Sequence, residues 1–228
     1  MAALYLSPHY DDVCFSLGMT ARESGGLLVN VYTLSNYMDG ELGPTAEITK
    51  IREAEDSAFA AACGLQRHNF GFSEATVQDL GPFDLTRIEE DVDALEEPLI
   101  DFLLARGGAD IYCPLAVGRH RNHISVFLAV VKAYAALRPA SKIYFYEDLP
   151  YAAQPVLRSE ALQRLAYYFP GKALSRHAHQ LDDSEMKQKM ALVEMYKSQH
   201  PEPATAQKFT PAEPATPFPH EAFWEVAA

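Results

Sequence analysis

Three ionisable side chains, His9, Asp11 and Asp12, lie together in "LYLSPHYDDVCFS", between two apolar runs. A strand pattern, "ALYLS" (3–7), ends just before them, and an amphipathic helical pattern (12–25) opens at Asp12. Far downstream, "PLAVGRHRNH" follows a second apolar strand and supplies His120 and His123. Imidazoles and carboxylates with no cysteine among them suit a catalytic Zn²⁺, or another divalent ion with the same ligand preference. His9 and Asp12 are three apart, so both can face one point from a strand-to-helix turn. One Asp with two His leaves a coordination position for water, the arrangement of a hydrolytic metal site. The simpler alternative is a helix N-cap made by Asp11 or Asp12, with His120 and His123 on the surface. Capping needs one Asp and explains neither His9 nor the downstream histidines.

The elements that must position these residues alternate along the chain. Strand patterns at 3–7, 27–35, 67–72, 110–116 and 142–149 are separated by helical patterns at 12–25, 45–63, 85–108 and 123–137. Pro98 falls inside the third helical pattern and predicts a bend or break there. Strand–helix alternation implies parallel strands with right-handed crossovers. The expected fold is α/β, a Rossmann-like three-layer sandwich with a mostly parallel sheet and a C-terminal extension. In such sheets ligands bind outside the carboxyl ends of the strands, and the first and fourth strands are usually neighbours. That edge would bring His9, Asp11 and Asp12 beside His120 and His123. No glycine-rich phosphate loop follows the first strand, which counts against a dinucleotide-binding enzyme.

Beyond Pro150 the pattern changes. "ALSRHAHQL" (173–181) predicts an edge strand, and 182–199 a helix capped by Asp182 or Asp183. Six prolines between His200 and Pro219 predict an extended segment, with "EAFWEV" docking back through Phe223 and Trp224. The expected organisation is one domain over residues 1–200 and a Pro-rich extension over 201–228 packing on the body. The formal charge of −12 over 228 residues argues against a nucleic-acid partner. No apolar run reaches the roughly 18 residues of a membrane span. Three widely spaced cysteines, Cys14, Cys63 and Cys113, read as buried reduced thiols, and with no signal-peptide pattern the expected location is cytoplasmic.

The residues now match a known pattern. "SPHYDD" resembles the signature of the PIG-L (LmbE-like) N-acetylglucosaminyl deacetylase family, written [AS]-H-P-D-D-E or P-H-x-D-D. "REAEDSAFAAACGL" (52–65) resembles the family's R-x-x-E helix, with Arg52 and Glu55 in register, and "HRNH" (120–123) takes the place of its H-x-D-H. "KMALVEMYKSQ" (189–199) resembles its late K-x-x-A…Y-x-S-Q helix. The resemblance implies a zinc-dependent hydrolase removing an N-acetyl or other N-acyl group from an amino sugar or glycoconjugate. By this resemblance His9, Asp12 and His123 bind one zinc ion per chain, with Fe²⁺ or Co²⁺ as alternative metals. Asp11 is the general base that deprotonates the attacking water, and His120 stabilises the oxyanion or acts as an acid. Arg52 is expected to hold substrate hydroxyls, although it could equally pair with Glu55 on a solvated face. Asp148, and less clearly Glu147, end the fifth strand at the same edge and are expected to bind the sugar.

The partner is then a small-molecule substrate, with a homo-oligomer left open by the C-terminal arm. Loops at 36–46, 73–84 and 150–172 would frame it, their aromatic residues Tyr37, Phe83, Tyr151, Tyr167 and Tyr168 suiting a sugar ring. Tyr10 and Val13 depart from the family's proline and glutamate. More consequential is Asn122 in place of the H-x-D-H aspartate, since a neutral amide supports the imidazolium form of His120 less than a carboxylate would. That departure keeps two other readings open: an amidase for a thiol conjugate or natural product, and a catalytically weak sugar-binding member of the family.

Overall fold

The computed structural model describes residues 3–200 and 203–227. The chain runs through β1 (Ala3–Ser7), α1 (Asp12–Ser24), β2 (Leu27–Leu34), a short hairpin of β3 (Tyr37–Met38) and β4 (Glu41–Leu42), α2 (Thr45–Cys63) and β5 (Gln66–Ser73). It continues with α3 (Ile88–Leu95), α4 (Asp101–Leu104), β6 (Asp110–Pro114), α5 (Arg121–Leu137), β7 (Lys142–Tyr146), α6 (Pro155–Tyr168), β8 (Leu174–Gln180), α7 (Asp183–Val193) and β9 (His220–Val226). Between α3 and α4 a π-helical turn, Glu96–Ile100, absorbs Pro98, so the expected long helix is distorted at the proline without a loop.

Seven strands form one sheet in the order β5-β2-β1-β6-β7-β9-β8. Strands β5 to β7 in that order are parallel, whereas β9 runs antiparallel to both β7 and β8. With helices packed along it, this is the mostly parallel α/β architecture expected from the alternation. The chain first builds outward from β1 to β5, then returns to add β6 and β7 on the other side. The reversal between β1 and β6 opens a crevice at their carboxyl ends. Both strands are buried almost throughout, and Tyr5, Tyr112 and Tyr144 stack across β1, β6 and β7 with centroids 4.9 and 5.0 Å apart.

The C-terminal segment packs on the body as a strand of the main sheet. The boundary after residue 200 falls at positions 201 and 202, outside the described residues. Beyond it, β9 inserts between β7 and the edge strand β8, so the last residues complete the sheet. A buried ion pair explains why this strand belongs there. Helix α1 is broken at Leu17 (φ −133°, ψ 23°), which frees the amides that follow the break. Glu221 of β9 accepts hydrogen bonds from the Met19 and Thr20 amides at 3.0 and 2.8 Å and from the Thr20 hydroxyl at 2.7 Å. Lys189 of α7 closes the cluster at 3.0 Å, with both charged side chains fully buried.

The same late block grips α2. The Tyr196 hydroxyl donates to Asp56, and the Ser198 amide and hydroxyl donate to Glu55 at 2.8 and 2.5 Å. Glu55 therefore serves the 196–198 turn and does not pair with Arg52. No helix among the described residues is long and apolar enough to cross a membrane.

Glu221→Ala should lower unfolding free energy by about 3–5 kcal/mol, because it leaves an uncompensated ammonium and two orphaned amides in the core. Urea denaturation checks this. The paired change Glu221→Leu with Lys189→Met should recover most of the loss; a loss equal to or larger than that of the single variant would contradict the assignment.

Candidate active site

Ser7 ends β1, and its hydroxyl accepts from the Val13 amide at 3.2 Å, so the serine caps α1. Asp11 occupies the N-cap position but makes no capping bond, which removes capping as the reason for the two carboxylates. Asp12 instead folds back and accepts from the His9 amide at 2.7 Å. From β6 the chain turns sharply through left-handed residues: Ala116 (φ 60°), Gly118 (φ 83°) and Arg119 (φ 61°). That turn delivers His120 to the start of α5 and His123 one turn further in. Glycine at 118 is required by space as well as by φ, since a Cβ there would lie 2.6 Å from the Tyr151 ring.

The two segments meet as the strand order predicts. Asp12 lies between two imidazoles, its Oδ2 3.2 Å from His9 Nδ1 and its Oδ1 3.2 Å from His123 Nε2. The two ring nitrogens are 3.3 Å apart. Ligand atoms on a tetrahedral zinc with bonds of about 2.0–2.1 Å are separated by about 3.3 Å. The two imidazole nitrogens have the mutual spacing of a coordination shell, and each faces a different oxygen of Asp12. His120 stands against His9 with ring centroids 4.7 Å apart, and its Nδ1 is buried without a partner. His9, His120 and His123, and separately His9, Asp11 and Asp12, are grouped closely enough to hold an ion.

Charges in the cluster follow from burial and neighbours. Burial disfavours a charged Asp12, yet His123 and His9 hold its carboxyl well below the usual range. Burial also opposes a charged His123, but the carboxylates of Asp12 and Asp148 outweigh it and push the imidazole up to about 10. A positive charge is thus favoured at the point where the three donors converge. His120 is held well below its ordinary value by burial and then by His9 and His123. Asp11 is raised by burial and by its neighbour Asp12, with Arg52 pulling the other way.

Several expected site residues take different positions. Asp148 is fully buried and lies behind His123, accepting from its Nδ1 at 2.7 Å and from the Val117 amide at 2.9 Å. It orients the imidazole with Nε2 facing Asp12 and does not reach a substrate. Glu147 points to the other side of the sheet edge, where it holds Arg158 and the Trp224 indole. Arg52 does line the crevice, but its terminal nitrogens are spent on protein: Asp11 at 2.9 Å, Glu74 at 2.6 Å and the Ser35 hydroxyl at 2.7 Å. It positions Asp11, and the expected hold on sugar hydroxyls is not what its contacts provide. Asn122 accepts from the Ala75 amide at 3.3 Å, which braces the segment carrying Glu74 and has no bond to His120.

The cluster opens into a cleft of about 350 Å³, walled by Phe15, Tyr37, Leu42, Phe83 and Tyr151 among others. Tyr167 and Tyr168 lie on α6, away from this cleft. Glu74 was missed by sequence reasoning, although "GFSEAT" places an acid just after the third strand, at the same sheet edge.

Fold and site define a Rossmann-like α/β protein with a buried His/Asp cluster, of metal-binding composition, at the switch point of its sheet. Residues 4–134 match the PIG-L family, described as GlcNAc-PI de-N-acetylase, and the chain belongs to that family. It is 30% identical over 165 residues to the 2'-N-acetylparomamine deacetylase of Streptomyces fradiae, covering 66% of this chain and 58% of that protein. The chain thus spans less than two thirds of that relative's length. Among solved structures, a deacetylase–bog complex in the biosynthesis pathway of teicoplanin superposes with a TM-score of 0.74 at 17% identity, covering 100% of this chain and 98% of the other. The zinc-inhibited form of teicoplanin deacetylase Orf2 gives 0.73 at 16% identity, again covering 100% and 98%. At these identities the structures speak for the fold.

Gly118→Ala should displace Tyr151 and lower stability by about 1–3 kcal/mol through overpacking and a strained φ. Thermal unfolding reads the change. An unchanged midpoint would mean that the turn and Tyr151 are not packed as described.

Proposed function

We propose that this protein is a metal-dependent N-deacetylase acting on an N-acetyl amino sugar or its glycoconjugate. The observation that carries the reading is Asp12 shared between His9 and His123, with a second buried carboxylate, Asp11, beside it. The description of the family as a de-N-acetylase, and the deacetylase names of the relatives, point the same way. His9, Asp12 and His123 would hold the ion, with Zn²⁺ expected and Fe²⁺ or Co²⁺ compatible with two imidazoles and a carboxylate. A bound divalent ion supplies a Lewis acid for the amide carbonyl and makes water a nucleophile near neutral pH.

The chain's own residues account for the rest. Asp148 holds the Nδ1 proton of His123, fixing the tautomer that leaves Nε2 free. Arg52 holds Asp11 through Oδ1, so its Oδ2 is left to take a proton from the attacking water and pass it to the departing nitrogen. Glu74 and Ser35 keep the guanidinium in that position. His120, neutral in its buried site, is placed to donate to the carbonyl oxygen as negative charge develops there. Asn122 accepts from the Ala75 amide and has no bond to His120, so the reading of a catalytically weak sugar-binding member rests on the missing carboxylate alone. Three buried, unpaired cysteines suit the cytoplasmic location that forms part of this reading.

Purified protein should contain about one zinc per chain and release acetate from N-acetylglucosamine conjugates. Asp11→Asn should keep the metal and lose about 10²–10⁴-fold in kcat. Asp148→Asn should weaken zinc binding by about 10–100-fold, measured by competition with a chelator. No bound metal, together with His9→Ala behaving as wild type, would remove the whole reading.

A further inference from the structure

The end of α1, the edge strand β8 and the start of α7 meet at one place on the surface, and none of the side chains there lines the cleft. Each element brings one ligand-type group: Glu23 from the last turn of α1, His179 from β8 and Glu185 from the first turn of α7. One ligand atom of each lies within 4.8 Å of the other two. His179 Nε2 is 3.7 Å from Glu23 Oε1 and 3.9 Å from Glu185 Oε1. These separations are too long for hydrogen bonds. They exceed the ligand spacing on a tetrahedral zinc by only about half an ångström. The Glu23 side chain, 55% exposed, can close that difference by small rotations within its staggered wells.

The imidazole is turned to present a lone pair to the two carboxylates. The Thr20 hydroxyl has a single proton, and it is donated to Glu221 at 2.7 Å. Thr20 Oγ1 can then only accept from His179 Nδ1, 3.3 Å away, which leaves Nε2 of the neutral ring free to ligate. Glu185 is fixed in a similar way. Its Oε2 accepts from the Asp182 amide at 2.8 Å, so Oε1 is the oxygen turned to His179.

The two carboxylates have no other counter-charge. Among the described residues no Lys or Arg pairs with Glu23 or Glu185: Arg22 donates to Gln188, and Lys189 is committed to Glu221. Glu23 also stands at the negative end of the α1 dipole, where an uncompensated carboxylate is unfavourable. A protonated His179 would offer one positive charge and, at these distances, no hydrogen bond to either acid. A divalent cation balances both.

We propose that Glu23, His179 and Glu185 form a second divalent-cation site, separate from the His/Asp cluster, that ties β8 to the ends of α1 and α7. One imidazole and two carboxylates suit Zn²⁺, with Co²⁺ or Mn²⁺ compatible. Glu23 and His179 also line an open pocket of about 350 Å³, from which water can complete the shell. The ion would sit next to Thr20 and so reinforce the Glu221 cluster that holds β9 in the sheet. With one imidazole and an exposed carboxylate, it binds more weakly than the cleft cluster and fills on added zinc. The proposal does not rest on the deacetylase reading.

Calorimetric titration of zinc chloride into the full chain tests it. In His123→Ala, which breaks the cleft cluster, one equivalent should still bind, and saturating zinc should raise the thermal midpoint by about 5 °C. Adding Glu23→Gln or His179→Ala should weaken that equivalent by more than about tenfold, the cost of losing even an outer-shell partner, and abolish the thermal shift. The same two substitutions should remove one equivalent from the otherwise wild-type chain, which carries the test if His123→Ala does not fold. No zinc bound by folded His123→Ala overturns the proposal. So does an equivalent that survives both Glu23→Gln and His179→Ala.

Discussion

Two carboxylates adjacent in sequence, Asp11 and Asp12, are buried side by side, and the arrangement of the site follows from making that tolerable. Like charges about 4 Å apart repel by about 4 kcal/mol at the effective dielectric of a protein interior near its surface. Each carboxylate is compensated in its own way. Asp12 is clasped by His9 and His123, whose ring nitrogens each lie 3.2 Å from one of its oxygens. Asp11 is met by a buried guanidinium, and Arg52 is itself balanced by Glu74. The two aspartates are thereby given unequal environments, one fixed as an anion and one held closer to protonation. Division of labour between a ligand and a base needs that inequality.

The sheet makes the clasp possible. Parallel pairing of β1 with β6 sets the carboxyl ends of two distant segments next to each other. The left-handed turn from Ala116 to Arg119 then aims His120 and His123 back toward His9. Behind His123, Asp148 arrives from the end of the next strand, β7. The insertion of β9 beyond β7, locked by Glu221 on Lys189 and the broken α1, covers the flank of the strand that presents Asp148. Residues remote from the chemistry thus fix the helix that begins with Asp12.

Much of this was legible in the sequence. Apolar alternation implies the parallel strands, and the strand-end rule joins His9, Asp11 and Asp12 with His120 and His123. The roles of Arg52 and Asp148 were not legible, because sequence places a polar residue at an edge but does not say whether it faces the cleft or lies behind another side chain. For Asp148 the register of β7 decides, and it puts the carboxylate under His123. For Arg52 the deciding partner is Glu74, some twenty residues away on another strand end. The place of β9 was hidden for a similar reason. A seven-residue strand following a proline-rich stretch reads as an appendage until its buried glutamate finds a buried lysine.

The proposed chemistry depends on His9, Asp12 and His123 together holding a metal ion. X-ray absorption at the zinc edge of the loaded protein measures this directly. Two imidazole nitrogens at about 2.0–2.1 Å and carboxylate or water oxygen at about 2.0–2.2 Å, reduced to one imidazole in His123→Ala, is the expected spectrum. A shell containing sulfur at about 2.3 Å, or one unchanged by His123→Ala, would contradict it.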